Sequence, residues 1–508
     1  MKVRSLDAPA GSLLKVSDGL LDFVEIYTTT SREHASVRLR RRCSPEDAIP
    51  FQPARTAMAD ESYDYDANCR RWPAVAGPFP VGTVEFEVTD PIRSSQYAPE
   101  PTVTRRLYVR AWYPAGDVTG YPRRAYFTEA EVGTVPVKSL ELLRQPPDAL
   151  RHAVGLPTNA FVEAPPADGL FPVVVFNHGY LSYPAQHTAL FEHLAANGYV
   201  VLSVGHPWES GGIVYPNGDA MVGSPRILED MMQIGQALGA MAAYSAPTLA
   251  AQLEAFREYV KILRTTSAGR LAPVWRDDVY FVLDRLEENT IPGGSSVAAM
   301  IDHERRGYMG KSFGAYIAGM LAQGDPRSRG VVHLDGGLWS YELADTELRT
   351  PFLTLGSDVW EDYREMPELP RGVDPSVREP LGPRTPAAAD LAYERLARAG
   401  LRSDGFRFVI PGIRHSGVSD LPELAGAPVL RRKLGTEAAL TTFTAIQNDL
   451  VSGFLDRHVK DAPSDFPARE LATHPEVIVQ DLSWLRGRAQ TELQEKLLAG
   501  HPHRCGNT

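Results

Sequence analysis

Two nearly continuous apolar runs, separated by one amphipathic stretch, constrain this chain more than any other feature. Residues 171–176 read Phe-Pro-Val-Val-Val-Phe, and residues 199–204 read Tyr-Val-Val-Leu-Ser-Val. A strand that is apolar on both faces must be covered on both faces, which suits a parallel strand held between layers of helices. Between the two runs, residues 188–197 place Leu190, Phe191 and Leu194 on one helical stripe, and Gly198 stands where a C-terminal cap belongs. The strand–helix–strand unit predicts an α/β chain with a mostly parallel central sheet and helices on both faces.

Other segments extend this pattern. In 83–89, Val84, Phe86 and Val88 alternate with Glu85 and Glu87, as in a half-buried strand. A second strand, 107–113, ends at Pro114, and the pair suggests an antiparallel edge of the sheet. Residues 115–169 are rich in Pro and Gly and read as loops with short helices. Short buried strands are expected at 305–309, 331–334 and 352–355, with the last at 406–410. Helices are expected at 275–286 and 436–455. Residues 1–75 read as a polar, arginine-rich N-terminal extension, 76–460 as the main domain, and 461–508 as a C-terminal tail. Residues 207–275 interrupt the alternation with two helical stretches, 225–244 and 248–264, the first opened by Ser224-Pro225 as cap and first helical residue. This helical insertion reads as lid-like, with Met231, Met232 and Met241 as either an adaptable lining or a core face.

Composition removes several classes of function. With 508 residues, 43% of them hydrophobic, the chain can bury a large core. Its net charge of −11 argues against a nucleic-acid partner, which favours a basic surface. The basic run Arg38-Leu39-Arg40-Arg41-Arg42 reads as a solvated face. Cys43, Cys69 and Cys505 are odd in number and widely spaced, so they suggest free thiols in a reducing compartment rather than a disulfide framework or zinc site. No run of about 18 apolar residues suggests a membrane span. The first 25 residues lack the apolar core of a secretory signal, so a cytoplasmic location is expected, with export left open. The sequence says nothing of oligomeric state.

The chemistry concentrates in four places. Gly310-Lys311-Ser312-Phe313-Gly314 is a G-x-S-x-G pattern between a strand-like stretch and a small-residue helix. A nucleophile elbow needs that context, because so tight a turn leaves no room for side chains two residues either side of the serine. The helix dipole then favours negative charge developing at the Ser312 Oγ. Strand 171–176 ends in Asn177-His178-Gly179-Tyr180, a turn able to offer the Tyr180 N–H to an oxyanion, with the Phe313 N–H as second donor. His178 itself reads as structural. A serine nucleophile needs a base, and the base needs an orienting carboxylate. His415, in Pro411-Gly412-Ile413-Arg414-His415 after the last expected strand, fits the base. Asp335 and Asp358, each after a short strand, are both candidates for the acid.

Taken together, these stretches identify the chain as an α/β-hydrolase fold. They resemble platelet-activating-factor acetylhydrolases of the plasma and intracellular type-II group and their bacterial relatives. The resemblance rests on Asn177-His178-Gly179-Tyr180, Gly310-Lys311-Ser312-Phe313-Gly314-Ala315, Leu334-Asp335-Gly336-Gly337-Leu338-Trp339 and His415-Ser416-Gly417-Val418-Ser419-Asp420. It extends over about 80–460, including the hairpin at 80–115 and the helical stretch Asp277 to Leu286. It implies Asp335 as the acid, with Asp358 as the alternative. The chain departs from the family pattern where Lys311 replaces histidine, Ala315 replaces glycine and Tyr180 replaces leucine.

The resulting expectation is a serine esterase acting on short-chain or lipid-like carboxylic esters through an acyl-enzyme on Ser312, His415 and Asp335. No metal or organic cofactor is expected. An acyltransferase, or an amide, lactone or polyester hydrolase on the same triad, is the alternative. A non-catalytic binding protein that keeps the fold is a remoter one.

Overall fold

The computed structural model describes residues 72–227 except 101, 261, 264–336, 350–357 and 404–479, together with strands within 14–40. Those N-terminal strands, Leu14–Asp18, Leu21–Thr28 and Ala35–Arg40, form an antiparallel three-stranded sheet of their own.

Among the described residues, the central sheet has eleven strands. They are β1 (Val81–Ser94), β2 (Thr104–Pro114), β3 (Arg123–Ala125), β4 (Pro157–Val162), β5 (Phe171–Asn177), β6 (Val200–Gly205), β7 (Ile301–Lys311), β8 (Ser328–Leu334), β9 (Phe352–Ser357), β10 (Gly405–Ile410) and β11 (Ile478–Val479). Their order across the sheet is β11-β10-β9-β8-β7-β5-β6-β2-β1-β4-β3. The six strands from β10 to β6 are all parallel to their neighbours. Every residue of β5 and β6 is buried, as two-sided apolar runs require.

Four helices matter most for the site. They are α1 (Thr188–Ala196), α2 (Ser267–Glu287), α3 (Phe313–Gly324) and α4 (Glu437–His458). Among the described residues, the two largest of three apolar clusters lie against the sheet. One gathers α2 and α3 against the sheet through Trp275, Val279, Leu283, Phe313 and Ile317. The other gathers α1 and α4 through Leu190, Phe191, Phe443, Leu450 and Phe454. The sheet therefore lies between two helical layers, as the alternation predicts.

Several boundaries differ from the sequence expectations. The hairpin β1–β2 pairs antiparallel as expected but is not the edge, because β4 and β3 lie beyond it. Residues 115–169 therefore hold sheet strands as well as loops. Their alternation is too short to stand out against the surrounding Pro and Gly. Helix α2 starts eight residues earlier than its apolar stripe suggests; Thr266 caps it by accepting from the Gly269 N–H, and Pro273 is tolerated near its start. β10 is not the last strand, because β11 pairs antiparallel with it from within the expected tail. In the insertion, 207–227 contains a two-stranded hairpin, Gly212–Val214 with Ala220–Val222. Of the helical stretches expected at 225–244 and 248–264, residues 225–227, 261 and 264 are described and helical; Met231, Met232 and Met241 lie outside the described residues, as do Cys43, Cys69 and Cys505. Among the described residues, no helix is long and apolar enough to cross a membrane.

Candidate active site

The elbow between β7 and α3 is as tight as its glycines require. A Cβ at Gly310 would lie 2.1 Å from the Gly314 carbonyl oxygen, and one at Gly314 would lie 2.0 Å from the Asn177 carbonyl oxygen. Either would force backbone apart. Ser312 occupies φ 55°, ψ −117° at the N-terminus of α3. A non-glycine residue held at such a φ is strained, and the surrounding structure must enforce it.

The serine, the histidine and one of the two aspartates come together at the ends of the parallel strands. His415 Nε2 lies 3.0 Å from Ser312 Oγ. On the other side of the ring, His415 Nδ1 lies 2.5 Å from Asp335 Oδ2. The second carboxylate oxygen of Asp335 accepts from the Ser357 N–H at 2.8 Å. Burial favours the protonated acid, but the charge and hydrogen bond of His415, the Ser357 N–H and the charge of Lys311 outweigh it. Together they hold the carboxyl at about 2. An ionised Asp335 orients His415 with Nδ1–H toward it, leaving the Nε2 lone pair facing Ser312. The Asp335 side chain is 6% exposed, whereas that of His415 is 43% exposed, so solvent and small molecules reach the base but not the acid. Asp358, the alternative acid, lies outside the described residues.

The turn after β5 faces this group. His178 is fully buried, and burial pushes its imidazole down to about 3, so it is neutral. Its Nδ1–H donates to the Gly179 carbonyl at 2.7 Å, and its Nε2 accepts from the Ser210 hydroxyl at 2.7 Å. The Tyr180 ring packs edge-on against Phe313, 5.3 Å between centroids. The two residues proposed to supply oxyanion donors are therefore neighbours. Trp275 of α2 backs both halves, 4.8 Å from the His178 ring and 5.0 Å from the Phe313 ring.

A buried ionic cluster supports that tryptophan. Trp275 Nε1–H donates to Glu209 at 2.8 Å, and His206 stacks on the indole at 3.8 Å. Arg105 forms paired hydrogen bonds with both Glu209 and Asp278. No sequence motif advertised this cluster, because its members come from β2, the segment after β6, and α2. Asp420, a member of the stretch that begins at His415, accepts hydrogen bonds from the Ala189 N–H and the Tyr126 hydroxyl, and one from the Thr188 N–H at the start of α1. It ties the segment carrying His415 to the helix that follows the oxyanion turn.

One contact was not foreseen. Lys311 Nζ lies 3.0 Å from His415 Nε2, as close to that nitrogen as Ser312 Oγ is. The signal available in the sequence was its place immediately before the serine, where the resembled family has histidine. Among the described residues, no group of three His, Cys, Asp or Glu side chains is arranged to hold a metal ion.

The parallel sheet, with a strained serine between β7 and α3 and helices on both faces, is an α/β-hydrolase fold. Its overall shape is similar to that of a ferulic acid esterase from Streptomyces cinnamoneus. That likeness has a TM-score of 0.56 and 24% identity, over 81% of this chain and 99% of the other. A chlorophyllase family model matches residues 130–205, which contain β5, the turn at His178, α1 and β6 but not the elbow. No curated protein matches the sequence. Neither of these two likenesses is to the platelet-activating-factor acetylhydrolase group.

Proposed function

We propose that this chain is a serine-dependent carboxylic ester hydrolase working through Ser312, His415 and Asp335. The observation that carries the reading is the continuous line of hydrogen bonds from Ser312 Oγ through the His415 ring to the ionised, buried Asp335. The chlorophyllase match and the likeness to a ferulic acid esterase support an ester as the substrate.

In the first half-reaction, Ser312 Oγ attacks the ester carbonyl while its proton passes to His415 Nε2. The Tyr180 and Phe313 N–H groups hold the resulting oxyanion, a contribution worth about 3 kcal/mol for each donor. The carbon–oxygen bond to the alcohol breaks, and the alcohol leaves with the proton from His415. Water, deprotonated by the same nitrogen, then attacks the acyl-enzyme and releases the acid and Ser312. Asp335 keeps the required tautomer and stabilises the imidazolium throughout. Short-chain or lipid-like esters remain the proposed substrate range.

A fluorophosphonate probe with mass-spectrometric mapping tests the reading directly. Labelling at Ser312, with turnover of 4-nitrophenyl acetate or butyrate lost in Ser312→Ala, is expected. A protein that neither labels nor turns over any ester would overturn it.

A further inference from the structure

The peptide that joins Gly179 to Tyr180 carries two groups pointing opposite ways. Its N–H is the Tyr180 donor proposed for the oxyanion, and its C=O is the Gly179 carbonyl. A planar trans peptide ties the two directions together, so whatever holds the carbonyl also aims the N–H. Two donors hold it. The Ser182 N–H donates to the Gly179 oxygen at 3.0 Å, and His178 Nδ1 lies 2.7 Å from the same oxygen. The preceding peptide is held as well, since the Gly179 N–H donates to Gln186 Oε1 at 3.2 Å.

A carbonyl only accepts, so His178 Nδ1 carries the proton. Burial keeps the ring neutral, at about 3, which leaves Nε2 as a bare lone pair. That nitrogen meets the Ser210 hydroxyl at 2.7 Å. The hydroxyl has one proton and a second acceptor in reach, the His206 carbonyl at 2.9 Å. Were the proton given to His206, two lone pairs would face each other between Ser210 and His178, so the proton goes to His178. The His206 N–H donates to Ser210 Oγ at 2.9 Å. A directed chain of hydrogen bonds thus runs from the His206 N–H through Ser210 and His178 to the Gly179 carbonyl. Ser210 and His178 are both fully buried. Trp275 packs edge-on against His178 and stacks on His206, so the indole limits how far the His178 ring can tilt.

We propose that Ser210 is a positioning residue for ester hydrolysis: acting through His178, it turns the peptide between Gly179 and Tyr180 so that the Tyr180 N–H faces the developing oxyanion. The inference rests on the esterase reading and on Tyr180 as an oxyanion donor, and it deepens that reading by assigning a residue that no motif marks. Removing the Ser210 hydroxyl takes away the proton that His178 Nε2 receives. A buried nitrogen so deprived penalises the very ring orientation that holds Gly179. The oxyanion exists only beyond the ground state, so the effect belongs in kcat and not in KM.

The test measures kcat and KM for 4-nitrophenyl butyrate in Ser210→Ala, His178→Leu, His178→Asn and the double variant of Ser210→Ala with His178→Leu. His178→Leu should lower kcat by about 10²-fold, the scale of one lost oxyanion donor, with KM changed by less than about twofold. Ser210→Ala should lower kcat by about tenfold. His178→Asn, whose amide N–H can reach the same carbonyl, should recover most of the loss seen in His178→Leu. In the double variant Ser210→Ala should add nothing, because the ring it acts through is gone. Fluorophosphonate labelling of Ser312 should slow in the same order. A wild-type kcat in Ser210→Ala, losses that add in the double variant, equal losses in His178→Asn and His178→Leu, or effects confined to KM would overturn the proposal and leave the esterase reading standing. Turnover that survives in Ser312→Ala would instead overturn the esterase reading. Should His178→Leu fail to fold, Ser210→Ala, which removes a single oxygen, decides the matter through its kcat.

Discussion

Ser312 and Asp335 leave adjacent strands at the same level, and both do so in left-handed backbone. Lys311 and Leu334 are register partners in the parallel pair β7–β8, so the next residue on each strand is the serine and the aspartate. Their φ values are 55° and 52°. The Ser312 N–H donates to the Leu334 carbonyl at 3.0 Å, and the Asp335 N–H donates to the Leu355 carbonyl at 2.8 Å. Each strand thus hands its last side chain to the same small volume at some conformational cost.

That cost predicts an opposition between stability and activity at Ser312. Glycine adopts positive φ freely, so Ser312→Gly should raise the unfolding free energy by about 1 kcal/mol. The same change should lower ester turnover by about 10⁴-fold or more, since the nucleophile is gone. Urea unfolding and 4-nitrophenyl butyrate assays on one preparation check both halves.

Asp335→Asn should leave the backbone in place yet lower kcat by about 10⁴-fold, because an amide can hold the imidazole in the wrong tautomer. Fluorophosphonate labelling of Ser312 should slow in parallel. Turnover close to wild type would move the acid to Asp358.

Acid should unfold the protein steeply. His178, His187 and His333 are buried, and burial pushes each down to about 3. The unfolded chain binds protons at these histidines from about pH 6.5 downward, whereas the folded chain does not until far lower. Their contribution is therefore fully present above pH 6.5 and is lost as pH falls toward 3. The slope below pH 6 should approach about 4 kcal/mol per pH unit, with about 1.4 from each histidine. Urea unfolding at pH 7, 6 and 5 measures it.

Arg105→Met should be among the most damaging changes away from the reacting groups. Arg105, Glu209 and Asp278 are all fully buried, and removing the guanidinium takes from Glu209 its cationic partner among the described residues, whereas Asp278 keeps Arg93 and His206. The expected loss is about 3–5 kcal/mol. Because Glu209 also holds Trp275, any folded fraction should show a lower kcat with KM little changed.

The layered architecture and the elbow were legible because they are written in short, contiguous stretches. Residues 171–176 and 199–204 are apolar on both faces, and the glycines at 310 and 314 can be recognised from spacing alone. Chain order singled out His415, and its ring lies beside Ser312. Spacing left Asp335 and Asp358 open, since each follows a short strand; the family resemblance favoured Asp335, whose register brings it beside His415. The cluster around Arg105 was invisible: nothing in the chain announces that residues 105, 209, 275 and 278 meet. β4 and β11 were missed because pairings of two or three residues carry too little alternation to register against neighbouring Pro and Gly.

The crossing of the chain from β7 to β10 has a consequence for how the protein comes into being. Ser312 is held by β7, α3 and the Leu334 carbonyl of β8, but its partner on the ring side arrives 103 residues later, after β9 and β10 have been laid down in turn. A ribosome-bound chain that has emerged only as far as β8 has the residues that hold the elbow and is still chemically silent. Ester turnover would then mark a late stage of synthesis: during refolding or translation it should switch on only once the segment after β10 has brought His415 to the elbow.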